Sequence, residues 1–323
     1  MSQLSTAGWL SPTRAWRLIE CPASVLPAAG NGPSGGGDQE VNTGTLAHRA
    51  LERWIRAEGY RAADPKAALA EAADACATEL TGGLPASWRV SRARLVARGL
   101  SLVDLIGDRT PDQVHSEIEL EDEDLRLRGR LDLLLLGDQI VVVDLKTQTL
   151  LEEGVPEGVA FQLAVYAHLI QRNYGTLPTR TEVFSLNRGR IVVPLTDESL
   201  RSALEALEKA RAADSSIATP SSATCLFCDH RLSCEPHWDV APGWPETDAV
   251  EGEIIRVESA ATGVSAVHLD TFAGPVWVSG IPSVLVSGAP GERLRLVRIH
   301  GGRTGAGDLP EWRWTRRSAL AFP

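Results

Sequence analysis

The stretch GRLDLLLLGDQIVVVDLKT, residues 129–147, constrains the fold more than any other part of the chain. Two apolar runs flank Gly137-Asp138-Gln139, a pattern that predicts a β-hairpin. With those three residues as the loop, Leu136 pairs with Ile140 and Asp132 falls opposite Asp144. Strand side chains alternate between faces, so Asp132, Asp144 and Lys146 share one face. The opposed Cβ atoms would lie about 4.5–5.5 Å apart. A two-residue loop would instead turn Asp132 to the other face. Facing carboxylates in an apolar hairpin repel and call for a cation. Lys146 supplies one positive charge. A divalent ion such as Mg²⁺, held by carboxylates and water, supplies more. Such an ion lowers the pKa of a bound water and offsets charge on a phosphate. The competing reading, two solvated aspartates at strand ends, fits poorly with LDLLLL and VVVDLK, where the acids interrupt apolar runs.

Charge narrows the class. The net charge of −10 excludes a protein that coats nucleic acid by bulk positive charge, but not a metal site built from carboxylates. Of 32 basic residues only three are lysines, Lys66, Lys146 and Lys209, so a lysine kept inside a strand is notable. No stretch approaches the roughly 18 apolar residues of a membrane span. No secretory pattern opens the chain, which reads as cytoplasmic, with disulfides not expected.

Around the hairpin the order of elements suggests an α/β fold. SPTRAWRLIE reads as a short helix ending near Cys21-Pro22. Residues 28–42 read as a flexible glycine-rich loop, and residues 43–58 as an amphipathic helix with Leu51 and Ile55 inward, capped by Thr43 or Thr45. Residues 64–107 read as a helical insertion of two or three helices. Three strands follow over 114–146, then a helix over 158–173. TEVFSL and RIVVPL read as two more strands, with a last helix in DESLRSALEALEKARAAD. Residues 1–240 thus form one domain, a mixed sheet flanked by helices, and 241–248 a linker. The runs EGEIIRVES, VSAVHLD, GPVWVSG, SVLVSG and RLRLVRIH suggest a small OB-like β-barrel over 249–323.

With these elements placed, the chain resembles the PD-(D/E)XK nuclease superfamily, in its RecB/AddB-like branch, which includes iron–sulfur nucleases associated with CRISPR systems. The likeness runs from residue 9 to about 238. LSPTRAWRLIECP looks like that family's first helix and first cluster cysteine. GTLAHRALE looks like the helix with an active-site histidine, His48. GRLDLL supplies Asp132, VVDLKT supplies Asp144 and Lys146, and FQLAVYA looks like the QxxxY helix with Gln162 and Tyr166. The resemblance implies a restriction-endonuclease-like core that cleaves DNA with Mg²⁺ or Mn²⁺, commonly as an exonuclease. It implies that Asp132, Asp144 and the Leu145 carbonyl hold the metal, with His48 as a further ligand or contact, and that Lys146 positions the nucleophile. Gln162 and Tyr166, at i and i+4 on one helix face, would touch the DNA backbone or brace the site. A first-strand glutamate completes the set, with Glu117 the candidate and Glu119 the substitute.

Five cysteines are present, at 21, 76, 225, 228 and 234. Spacing alone leaves zinc and an iron–sulfur cluster open for Cys225-x2-Cys228-x5-Cys234 with Cys21, and His230 or His237 could replace a cysteine around zinc. The resemblance implies a [4Fe–4S] cluster on Cys21, Cys225, Cys228 and Cys234. Cys76 reads as a buried helix residue. The resemblance stops near residue 240. Beyond it, Trp312, Arg313, Trp314 and Arg316 suggest a stacking surface for nucleic acid, with packed tryptophans and solvated arginines as the plainer reading. The expectation is a metal-dependent nuclease acting on single-stranded DNA or free ends. No Walker motif is present, so a helicase or other repair or defence protein is a candidate partner. The rival is a catalytically silent DNA-end or partner-binding subunit of a repair or defence complex.

Overall fold

The computed structural model describes residues 8–26, 42–81, 83–148, 150, 154–226, 228–244, 247–303 and 309–323. The glycine-rich stretch expected to be a loop lies outside them, apart from Asn42. The chain divides into two compact units: residues 1–16 with 30–212, and residues 17–29 with 213–323. The division falls within α1 (Pro12–Glu20), and a second break follows Ala212.

In the first unit, α2 (Thr43–Arg56) starts where the Asn42 side chain accepts from Thr45 N at 2.9 Å, so the cap is Asn42 and neither threonine. The insertion resolves into α3 (Pro65–Thr78), α4 (Trp88–Ala97) and α5 (Gly99–Ile106). Asp64 caps α3 through Lys66 N and Ala67 N, and Pro65 occupies its first turn, where a missing N–H costs nothing. The strands β1 (Val114–Asp122), β2 (Leu127–Leu135) and β3 (Val141–Lys146) come next. Helix α6 (Glu157–Tyr174) connects β3 to β4 (Arg180–Ser185), β5 (Gly189–Val193) follows, and α7 (Asp197–Ala212) closes the unit. The sheet order is β1-β2-β3-β4-β5, with β3 and β4 parallel and the other neighbours antiparallel. Leu133, Leu135, Val141, Val143 and Leu145 join Leu46, Leu51, Trp54, Leu69, Trp88, Leu95 and Leu102 in one buried cluster, which fixes α2–α5 against the sheet. α6 packs on β1 to β4 and carries α7. The architecture is α/β with a mixed sheet, as the sequence pattern predicts.

The second unit holds two short helices, α8 (Ser222–Cys225) and α9 (Glu235–Val240). Seven strands follow: β6 (Ala249–Ser259), β7 (Val264–Thr271), β8 (Gly274–Pro282), β9 (Arg293–Val297), β10 (His300–Arg303), β11 (Glu311–Arg313) and β12 (Ala319–Ala321). Their order is β10-β11-β8-β7-β6-β9-β12. Among the described residues no pairing joins β10 to β12, so the sheet does not confirm the expected OB-like barrel. SVLVSG, expected to be a strand, begins instead as a 3₁₀ turn over Ser283–Leu285. Val284 in that turn stays exposed, so its apolar run does not mark burial.

No helix among the described residues is long and apolar enough to cross a membrane.

Candidate active site

The hairpin pairs Leu133 with Val143, Leu134 with Val142 and Leu135 with Val141. Continued by one residue, this register sets Asp132 opposite Asp144, as the three-residue loop requires. On the other side of β2, Ser116 pairs with Leu133 and Ile118 with Leu131. Glu117 therefore stands opposite Asp132, and three neighbouring strands present one row of carboxylates: Glu117, Asp132, Asp144. Glu117 breaks the regular strand, with φ +52° in the left-handed region. A non-glycine residue held there costs about 1–3 kcal/mol and persists only where its surroundings enforce it.

Helix α2 brings His48 to this row. Its Nδ1 lies 2.9 Å from Asp132 Oδ1 and 3.4 Å from Glu117 Oε1. One ligand atom from each of the three falls within 4.8 Å of the others, close enough for a single ion. The second Asp132 oxygen accepts from Leu145 N at 2.6 Å, which locks the carboxylate across the strands. Asp144 is buried beside them, with Lys146 Nζ 2.9 Å from its Oδ2. Among the described residues this ion pair is the one polar contact of the buried Oδ2. Lys146 Nζ also donates to Gln162 Oε1 at 3.2 Å. Tyr166, one turn further along α6, donates to the Arg130 carbonyl at 2.6 Å. Gly129 makes room for it, because a Cβ there would sit 2.8 Å from the Tyr166 ring.

His48, Asp132, Asp144, Leu145, Lys146, Gln162 and Tyr166 line one cleft of about 310 Å³. Thr13, Thr147 and Gln148 line it too, and the sequence reading missed them. Thr13 and Thr147 lie inside stretches that the resemblance covers, LSPTRAWRLIECP and VVDLKT, but were given no role there. Glu119 stays outside, exposed and paired with Arg130 at 3.3 Å.

The electrostatics follow from crowding. Burial, then the neighbouring Asp132, pushes Asp144 up to about 6, against the pull of Lys146. Burial disfavours a charged His48, but its hydrogen bonds to the Asp132 and Glu117 carboxylates, with their charge, outweigh it and raise the imidazole to about 10. Without metal, His48 is thus a cation seated between two carboxylates.

In the second unit, Cys21, Cys225, Cys228 and Cys234 line a single small cavity together with His230, Arg231 and His237. Burial raises the thiols of Cys225, Cys228 and Cys234, the first to about 11. Cys76 is buried in α3, in the core of the first unit. Trp312 and Trp314 pack half-buried on the core of the second sheet, while Arg313 and Arg316 are exposed.

The family model of the PD-(D/E)XK nuclease superfamily matches residues 9–235. The chain belongs to that superfamily. Among solved structures it is similar to a candidate exonuclease from Eubacterium rectale, at 13% identity and a TM-score of 0.39, covering 68% of this chain and 93% of that one. A murine DNA-binding protein bound to double-stranded DNA matches at 12% identity and a TM-score of 0.20, over 64% of this chain and 92% of the other. At such scores neither likeness bears on function. No curated protein matches the chain.

Proposed function

We propose that this protein is a divalent-metal-dependent deoxyribonuclease that hydrolyses phosphodiesters at DNA ends or in single strands. The observation that carries the reading is the convergence of Asp132, Asp144, His48 and Lys146 on one cleft, with Glu117 grouped beside His48 and Asp132, in a chain of the nuclease superfamily. Asp132, Asp144 and the Leu145 carbonyl, with Glu117 and His48 beside them, would hold Mg²⁺ or Mn²⁺. Hard oxygens with one imidazole suit those ions, and Asp144, ion-paired through Oδ2 with Lys146, lines the cleft. When bound, the ion lowers the pKa of water and neutralises charge on the phosphate.

The side chains do the rest. Lys146, held between Asp144 and Gln162, keeps an ammonium in the cleft to orient the attacking water and to meet a phosphate oxygen. Gln162 acts by fixing that lysine, and Tyr166 by bracing β2 at Arg130. Asp132, anchored on Leu145 N, sets the distance between the two strands that carry the ligands.

For the cysteines we favour the [4Fe–4S] cluster over zinc. Zinc bonds of about 2.3 Å would bring thiolate sulfurs to roughly 3.8 Å from one another. Among the described residues no three cysteine sulfurs lie within 4.8 Å of each other, although all four cysteines share one cavity. A cubane, whose irons are spread apart, takes the wider spacing. The second sheet we read as a module for nucleic acid or a protein partner such as a helicase.

The test is cleavage of end-labelled single- and double-stranded DNA with Mg²⁺ or Mn²⁺. Metal-dependent degradation, lost in Asp144→Ala and Lys146→Ala, is expected. No cleavage by cluster-loaded wild type would turn the reading to a silent binding subunit.

A further inference from the structure

The cavity lined by the four cysteines carries an unmet demand on its wall. His237 is fully buried, and among the described residues neither of its ring nitrogens has a hydrogen-bond partner. Nε of Arg231, also buried, has none either. The other two guanidinium nitrogens are occupied by the Asp248 carboxylate. Trp238 and Trp244 pack against the imidazole, with ring centroids 4.9 and 5.2 Å away. Buried donors are rarely left unmet, because each then bears its full desolvation penalty. Here they line the same cavity as four thiols.

We propose that His237, seconded by Arg231 Nε, donates a hydrogen bond to the sulfur of the metal–sulfur group held by Cys21, Cys225, Cys228 and Cys234, and that this bond sets the group's reduction potential. The inference rests on the iron–sulfur reading above. The physical reason is charge. Four thiolates make the centre anionic, and an added electron makes it more so. An N–H or guanidinium aimed at sulfur stabilises the reduced form more than the oxidised one, which raises the potential. His237 suits the role because its buried ring lines the cysteine cavity and its N–H meets no acceptor among the described residues. A neutral ring carries one N–H, and its packing against two indoles leaves little freedom to turn away.

The experiment uses the full-length protein purified without oxygen. Iron and sulfide analysis and the absorbance near 400 nm come first, and zinc with no iron there would overturn the underlying reading and the inference with it. The wild type, His237→Phe and His237→Gln are then reduced stepwise with dithionite, and the midpoint is followed by electron paramagnetic resonance. Phe fills the same slot without a donor, and Gln restores one. The expected result is iron content equal in all three, a midpoint shifted to more negative potential in His237→Phe, and a partial return in His237→Gln. A weak nitrogen coupling to the reduced centre should vanish in His237→Phe. An unchanged midpoint in an iron-loaded His237→Phe would overturn the proposal. Loss of iron from that variant would make His237 a ligand or a packing residue and would overturn it as well.

Discussion

At the scale of single residues, the active cleft is governed by how three crowded carboxylates are neutralised. Asp144 has its pKa raised to about 6, so its ionisation works against the fold. The stability of the metal-free protein therefore falls as pH rises from about 4, the ordinary aspartate value, through 6. Asp144→Asn removes that cost. It should stabilise the metal-free protein by roughly 1–2 kcal/mol at pH 7 and hardly at all at pH 4, while abolishing cleavage. Thermal melts at the two pH values, set beside an activity assay, check this. A variant less stable than wild type at pH 7 would contradict the assigned charge state. His48 behaves in the opposite sense, since its raised pKa favours the fold below the ordinary histidine value and loses that effect as pH rises towards 10. A metal entering between Glu117 and Asp132 must displace the His48 proton. Mn²⁺ binding at pH 7.5 should then release about one proton in the wild type and close to none in His48→Asn. Titration calorimetry in buffers of different ionisation enthalpy reads that number. Lys146→Ala should leave binding largely intact and lower turnover by roughly 10²–10⁴-fold.

At the scale of elements, the site depends on how α6 meets β2. Gly129 lets the Tyr166 ring lie on the strand, and the Tyr166 hydroxyl then bonds to Arg130 O next to the catalytic row. Gly129→Ala should cost about 1–3 kcal/mol through the clash with that ring. Tyr166→Phe should cost only about 1 kcal/mol, for one hydrogen bond. Denaturant melts of the two variants check the order. The sequence made much of this element-level arrangement legible. The hairpin arithmetic placed Asp132 opposite Asp144 because apolar runs on both strands leave one register that buries them. The i, i+4 spacing put Gln162 and Tyr166 on one helix face. Glu117 was harder to single out from Glu119, because EIELEDED alternates like any solvated strand and nothing in it announces a left-handed φ. The Asn42 cap was missed because it is the residue before the apparent helix start that accepts the Thr45 N–H. The short strands β11 and β12 were invisible, since three residues carry no period.

At the scale of the whole molecule, the cysteines join parts of the chain that are remote in sequence. The unit that contains the second sheet also contains residues 17–29 and the segment after Ala212. By contacts the cysteine segment and the strands fall within one unit. Trp238 shares a buried cluster with Ala249 of β6 and Val297 of β9. The buried Arg295 of β9 reaches Glu235 at 2.7 Å. Cys21 belongs to this unit although 203 residues separate it from Cys225, and its sulfur accepts from Thr219 N at 3.4 Å. On the proposed reading, closing so long a loop would restrict the unfolded chain, and metal–thiolate bonds there would become folding free energy. Local order around the cysteines should therefore depend on the centre more than the strands do, since β6–β9 have their own core in Ile254, Val267, Leu269, Val278, Leu294 and Leu296. Removal of the centre by chelation under oxidising conditions, or by Cys225→Ser, should expose residues 17–26 and 213–234 to limited proteolysis while fragments containing β6–β9 persist. Mass mapping of the fragments decides it. Cleavage within β6–β9 at the same rate would mean that the strands and the cysteine segment fold as one cooperative block.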